Sequence, residues 1–199
     1  KGVHAESSVG MGAMGIGHYI AQHLMWENGD LDVKENALIE EWYTLAFGPA
    51  KVPMKRMLER WATSYMPISA ELGNSYRDIR EAETLAVGNP AVIARIDDYA
   101  RYLHYLRLRN ELLNATDSAT KTQKAMLLAE HIFDINDSRM VQTMRIFDLD
   151  IGNKFPTVLT AFSLADPANP GPGWARVHPL SHIEVRALIA DGKSKYPVP

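Results

Sequence analysis

The residues with the clearest capacity for chemistry lie near the start of the sequence, where Glu6 precedes a glycine-rich stretch that begins at Gly10. Glycines let a backbone turn tightly and approach a bound molecule closely, so a carboxylate beside such a loop is well placed to face a ligand. His4 and His18 are nearby side chains that could join it. A solvent-exposed or helix-capping glutamate has the same local sequence, and both interpretations stay open.

The glycine-rich stretch, residues 10–15, reads GMGAMG and matches the dinucleotide-binding pattern G-x-G-x-x-G. That pattern holds a nucleotide only when a buried strand precedes it and a parallel strand follows the helix. Residues 3–8, VHAESS, lack the character of a core strand, and the pattern after the first helix predicts another helix. The sequence therefore favours a loop that enters a helix, and it predicts no cofactor.

Histidine spacing and the lack of cysteine argue against a metal site. His18 and His23 are five positions apart, which places them on different faces of a helix, whereas a helical pair of ligands is three or four apart. His178 and His182 are four apart, but Pro179 lies between them. Without cysteine, disulfides, thiolate-bound metals and a cysteine nucleophile are excluded.

Arginines and tyrosines interleave near the middle of the chain, as they do in some surfaces that bind single-stranded nucleic acid; they are Tyr99, Arg101, Tyr102, Tyr105, Arg107 and Arg109. The chain has 21 basic and 24 acidic residues, a formal net charge of −3, and so no overall attraction for phosphates. The tyrosines fall on core-facing positions, which predicts a packed helix whose arginines keep their charged ends in water. No nucleic-acid partner is expected.

The composition is that of a folded domain, with 199 residues, 46% of them hydrophobic and 23% charged. No apolar run approaches the ~20 residues that span a bilayer, so no membrane partner is expected. Apolar residues recur instead at helical spacing. This periodicity predicts helices over about 16–26, 32–47, 54–66, 75–87, 90–113, 119–133, 138–147 and 181–190.

The strongest of these predictions is the helix from Pro90 to about Leu113, with Asn89 as its N-cap and no helix breaker inside it. It carries two apolar faces, which indicates a position at the centre of a bundle. In the second helix, Leu45 is expected to face the core together with Leu38 and Trp42.

The predicted fold is an all-α bundle of seven to eight helices with a short extended segment at its N-terminus. Residues 1–13 form the extended segment and glycine-rich loop, residues 14–152 the bundle, residues 153–180 an irregular Pro/Gly-rich segment, and residues 181–199 a short helix and tail. Residues 157–164 suit either a strand or a turn of helix. Ser181 and Glu184 form a capping box for the last helix, which Gly192 is expected to end.

Several longer motifs resemble a known family: Ala5-Glu6 with its glycine-rich loop, GHYI at 17–20, LMWE at 24–27, EWYTLAFGPA at 41–50 and YLHYLRL at 102–108. Together they resemble the C-terminal part of the bacterial glycoside-hydrolase-like domain-of-unknown-function family 4838, which is distantly similar to α-glucuronidases and β-hexosaminidases. The resemblance extends over residues 3–192 and is weakest over residues 153–176.

This resemblance implies a TIM-type barrel whose last strand carries Glu6, followed by a helical region that packs against it. The chain would then be the C-terminal helical portion of a secreted or periplasmic carbohydrate-active protein that hydrolyses O-glycosyl bonds. Its partners would be the N-terminal barrel domain and an oligo- or polysaccharide. Glu6, with His4 and Tyr19, would contribute to a sugar site at the end of that strand. The catalytic residues are expected mainly outside this chain, which would be inactive alone.

The residues also support a hypothesis from another class, a self-standing all-α structural or protein-interaction domain without catalysis. The two hypotheses predict different surfaces. The supporting domain of a barrel would have an extended N-terminal segment and a large apolar face. The self-standing domain would be a closed bundle with no apolar patch above several hundred Å².

Overall fold

The computed structural model describes Gly12 and residues 15–27, 31–63, 68–138, 140–162 and 178–198. Within these ranges the protein is an all-α multi-helix bundle without strands, as the periodicity predicts. The helices are α1 (Gly15–Glu27), α2 (Leu31–Phe47), α3 (Lys51–Thr63), α4 (Ser69–Leu85), α5 (Pro90–Asn114), α6 (Ser118–Asp134), α7 (Thr143–Asp150), α8 (Pro156–Ala161) and α9 (His182–Lys195). The predicted barrel strand falls in residues 1–11, which lie outside the described part of the chain.

The central helix is α5, and it begins at the predicted cap. The Asn89 side chain accepts a hydrogen bond from the Val92 backbone N–H (3.2 Å), and Pro90 occupies the first turn, where its missing N–H costs nothing. Both apolar faces of α5 contribute to the core, because the helix packs against α2, α4, α6 and α9. Side chains of α5 therefore meet those of several other helices.

Aromatic contacts join the N-terminal part of the chain to α5. Phe47, the last residue of α2, packs edge-to-face on Tyr99 with ring centroids 5.6 Å apart. The Tyr99 hydroxyl donates a hydrogen bond to the Gly12 carbonyl oxygen (3.1 Å). The Gly12 backbone N–H donates to the Met140 carbonyl oxygen (3.3 Å). Gly12 is thus hydrogen-bonded both to Tyr99 of α5 and to Met140, which precedes α7.

Two glycines that look like helix breakers instead lie inside helices. The fourth helix begins at Ser69, six residues before its predicted start, and includes Gly73; the last helix continues through Gly192 to Lys195. Gly192 is buried directly against the ring of Tyr76, and Gly73 against the backbone of the C-terminal segment. In both places a side chain would occupy space that the neighbouring segment fills.

The prediction that Leu45 faces the core is wrong. Leu45 is 64% exposed, whereas Tyr43 and Phe47 on the same helix are buried. Aromatic rings have more apolar area to remove from water than a leucine does, so α2 presents Tyr43 and Phe47 to the bundle.

The segment after α6 also differs from the prediction. The seventh helix begins at Thr143 rather than near Ser138, because the Ser138 hydroxyl donates to the Ile135 carbonyl oxygen (2.6 Å) and closes a 3₁₀ turn there. For residues 157–164 the sequence suited either a strand or a turn of helix, and the structure has a helix there, Pro156–Ala161. The segment predicted as irregular, residues 153–180, therefore starts with helical structure.

Candidate functional site

Many of the buried charges join one helix to another and are already paired. The Asp78 carboxylate on α4 is fully buried and accepts hydrogen bonds from Arg56 and Arg60 of α3. The Asp150 carboxylate on α7 accepts one from the Tyr105 hydroxyl (2.7 Å) and one from Arg109 Nε (2.8 Å). Removing one partner of such a pair would leave a buried charge unpaired, so these contacts hold the helices together.

Glu111 on α5 is the centre of a larger network. Its carboxylate accepts from Arg107 Nε at 2.9 Å, and from Lys124 of α6 and Lys195 of α9 at 2.6 Å each. Burial alone would raise the pKa of Glu111, but these hydrogen bonds outweigh it and hold the pKa at about 2. Arg107 is only 5% exposed and also pairs with Asp191 (2.6 Å). The prediction that its charged end stays in water is therefore wrong, because two carboxylates pair with it at the helix interface.

Two histidines pack against each other between α5 and α6. The rings of His104 and His131 meet edge-to-face with centroids 4.6 Å apart, and His131 Nε2 lies 2.9 Å from the Arg101 carbonyl oxygen, to which it donates. Burial lowers the pKa of His131 to about 4 and that of His104 to about 2. Both rings are therefore neutral at neutral pH and belong to the packed interior.

A cavity of about 450 Å³ lies where the turn between α4 and α5 meets the start of α9. We call it the Gly88 cavity; it is lined by Gly88, Asn89, Pro90, Ile93, Ala94, Asp97 and His182. Gly88 shapes the turn, since its φ of 85° lies in the left-handed region that favours glycine. Apolar side chains and backbone form most of the wall, and Asp97 and His182 add a carboxylate and an imidazole.

Asp97 and His182 belong to a hydrogen-bonded chain that crosses three helices. His182 Nδ1 donates to Asp97 Oδ2 (2.6 Å), and Arg186 Nε donates to His182 Nε2 (3.1 Å). The other side of the Arg186 guanidinium pairs with Glu83 of α4. Arg186 thus hydrogen-bonds to one nitrogen of the His182 ring, and Asp97 to the other. Burial raises the pKa of Glu83 to about 6.

This arrangement is suited to binding rather than to proton transfer. The general-base nitrogen of His182 is occupied by Arg186, so it cannot accept a proton from a substrate without breaking that bond. Asp97 Oδ1 and Glu83 Oε1 are both buried and have no hydrogen-bond partner among the described residues. Buried polar atoms are nearly always hydrogen-bonded, so an unpartnered carboxylate oxygen beside a cavity marks a place for a donor.

A second cavity, of about 530 Å³, lies between the start of α6 and the start of α8. We call it the Lys121 cavity; it is lined by Thr116, Ser118, Lys121, Thr122, Lys154, Phe155, Pro156 and Thr157. Its polar groups are hydroxyls and ammonium groups, and Phe155 supplies an aromatic ring. It is thus more polar than the Gly88 cavity.

Of the three residues predicted to contribute to a sugar site, the structure describes only Tyr19. Glu6 and His4 lie outside the described residues. Tyr19 lies on α1, where its ring packs on His23 with centroids 4.5 Å apart. It lines neither of the two cavities.

The sequence offered only partial signals for the Gly88 cavity. The capping box correctly places His182 at the first position of the last helix, with the Ser181 hydroxyl accepting from the Glu184 N–H (3.4 Å) and the Glu184 carboxylate accepting from the Ser181 N–H (2.8 Å). Asp97 sits on the best-predicted helix. Their 85-residue separation is closed by tertiary packing, which periodicity does not encode.

Among the described residues, no group of three or more histidine, aspartate or glutamate side chains could hold a metal ion. Over the same part of the chain, the helices are too short or too polar to cross a bilayer. The chain matches no protein-family model, no curated protein and no solved structure. A function is therefore inferred from the geometry of the two cavities.

Proposed function

We propose that this protein is a helical ligand-binding domain whose site is the Gly88 cavity. The observation that carries the proposal is Asp97 Oδ1, a buried carboxylate oxygen that accepts no hydrogen bond within the described part of the chain, on a residue that lines an apolar cavity. Small-molecule sites usually combine apolar walls with a few polar groups that fix orientation. The ligand is accordingly a small molecule with an apolar body and a hydrogen-bond donor.

The proposal is tested by amide chemical shifts of the labelled protein during titration with hexanol, hexylammonium, hexanoate and an oligosaccharide. A ligand that enters the Gly88 cavity shifts the amides of Gly88 and Ala94 in a saturable way. Ala94→Trp fills the cavity and abolishes those shifts. Ala91→Trp is the matched control, because Ala91 is exposed on the same helix and does not line the cavity.

A saturable shift that survives in Ala94→Trp would show binding elsewhere on the surface. If none of the four compounds shifts Gly88 or Ala94, the proposal is wrong. Normal shift dispersion in both tryptophan variants establishes that the comparison is made on folded proteins.

We infer a second candidate, carbohydrate binding, from the Lys121 cavity. Hydroxyl and ammonium groups beside an aromatic ring are the side chains that hydrogen-bond and stack on sugars. This candidate agrees with the resemblance to a glycoside-hydrolase-like family, in which the helical portion supports a barrel. In the same titration it predicts that the oligosaccharide shifts the amides of Lys121 and Thr157 and leaves Gly88 unchanged. No shift at Lys121 or Thr157 would contradict it.

A further inference from the structure

The carboxylates around the Gly88 cavity outnumber the guanidinium groups paired with them. Glu83 and Asp97 are two buried carboxylates, 4% and 7% exposed, and His182 hydrogen-bonds to Asp97. Arg186 pairs with Glu83 and hydrogen-bonds to His182. Arg80 also lies near Glu83 but is exposed, so water screens its charge. Among the described residues, this chain of hydrogen bonds thus joins two buried carboxylates to one arginine, next to an apolar wall.

The two helix N-termini beside the cavity are already capped from within the chain. The start of α5 is capped by Asn89, whose side chain and carbonyl oxygen accept from Val92 N–H. The start of α9 is closed by the reciprocal hydrogen bonds of Ser181 and Glu184. An anion at this cavity would find these caps in place and would be repelled by Asp97.

We infer that the Gly88 cavity binds the ammonium group of an aliphatic amine, with Asp97 as its counter-ion and Pro90, Ile93 and Ala94 as its apolar wall. This inference rests on the proposed function and names its ligand class. The ammonium group donates one N–H to Asp97 Oδ1 and keeps its remaining donors toward the open side of the cavity. It also places a second cation beside Glu83 and Asp97, the two carboxylates of the chain that includes Arg186 and His182.

Access to Asp97 Oδ1 depends on His182. The Asp97 side chain is 10% exposed, while the His182 ring, which hydrogen-bonds to Asp97 and Arg186, is 48% exposed. We expect rotation of the His182 ring to give the ammonium group access to Asp97 Oδ1. Rotation of exposed side chains takes place on the picosecond to nanosecond timescale, so it does not limit binding.

Isothermal titration of hexylammonium at neutral pH, compared with hexanol and hexanoate, tests the inference. Hexylammonium should bind tighter than both, and Asp97→Asn should weaken it by about tenfold or more, because a hydrogen bond to a charged group is lost. Asp98→Asn is the matched control: Asp98 is the next residue on α5, pairs with Arg101 and does not line the cavity. It should leave the affinity for hexylammonium unchanged.

The other possible results of this titration separate a failure of the ammonium inference from a failure of the proposed function. Equal binding of hexylammonium and hexanol, unaffected by Asp97→Asn, overturns the ammonium inference but leaves the Gly88 cavity as a site. Tighter binding of hexanoate overturns it in favour of an anion. If none of the three compounds binds, the ammonium inference is wrong. If the amides in the titration above also stay unchanged, the proposed function is wrong as well. If Asp97→Asn fails to fold, the comparison of hexylammonium with hexanol on the unmodified protein decides the inference.

Discussion

At the scale of single residues, two kinds of buried carboxylate can be distinguished by their partners. Asp78 and Glu111 are surrounded by cations, whereas Asp97 hydrogen-bonds to the His182 ring and, among the described residues, its Oδ1 has no partner. The N-cap of Asn89 and the capping box of Ser181 were predictable, because they depend on residues within one turn of each other. The pairing of Asp97 with His182 was not, because it depends on how α9 packs on α5.

Arg186 hydrogen-bonds to His182 and pairs with the buried Glu83, so its removal should be costly. Arg186→Met leaves Glu83 as a buried charge without its partner, and we expect it to lower the free energy of unfolding by about 2–4 kcal/mol. Arg80→Met, a substitution of an exposed arginine, should change it by less than about 0.5 kcal/mol. Urea denaturation of both variants measures this. Equal stability of the two would mean that Arg186 contributes no buried pairing.

At the scale of helices, the sequence predicted where most of them lie but not where several of them end. Hydrophobic periodicity is a local property, so the central helix and both of its apolar faces could be predicted from residues 90–113. Gly192 was expected to end the last helix because glycine is intrinsically poor in helices, and the fourth helix was predicted to begin only after Gly73. In the structure each one lies against another segment, and that contact outweighs the local preference.

Substitution of Gly192 tests this directly. A Cβ at position 192 would overlap the buried Tyr76 ring, so Gly192→Ala should lower the free energy of unfolding by about 1–3 kcal/mol despite the better helix propensity of alanine. Gly17→Ala in α1 is the control, because an added Cβ would meet no atom of another described segment within 4 Å. It should raise stability by about 0.5–1 kcal/mol. Urea denaturation gives both values, and stabilisation by Gly192→Ala would refute the close packing of α9 on α4.

At the scale of the whole molecule, the buried histidine pair links the stability of the bundle to pH. His131 has a pKa of about 4 in the folded protein and 6.5 as its ordinary value, so the unfolded chain binds more protons between these values. The stabilisation from its neutral ring is complete above about pH 6.5 and is lost as the pH falls toward 4. For His131 alone this is on the order of 3 kcal/mol. The Glu111 carboxylate makes stability depend on pH in a lower range, because its pKa changes from the ordinary value of 4.5 to about 2 in the folded protein.

Between pH 6.5 and 4 the two histidines lower the free energy of unfolding as the pH falls, whereas the raised pKa values of Glu83 and Asp98, each about 6, act in the opposite direction. His131→Gln can still donate a hydrogen bond to the Arg101 carbonyl oxygen but does not titrate, so urea denaturation should show that it loses less stability than the unmodified protein over this range, by on the order of 3 kcal/mol. His178→Gln is the control, since His178 is exposed. An identical slope in His131→Gln and the unmodified protein would show that His131 does not titrate on unfolding.

The Gly88 cavity as a ligand site is best tested by the amide titration with hexylammonium. Saturable shifts are expected at Gly88 and Ala94, with their loss in Ala94→Trp and their retention in Ala91→Trp. Shifts confined to Lys121 and Thr157, or no saturable shift at Gly88 and Ala94 with any of the compounds, would contradict it.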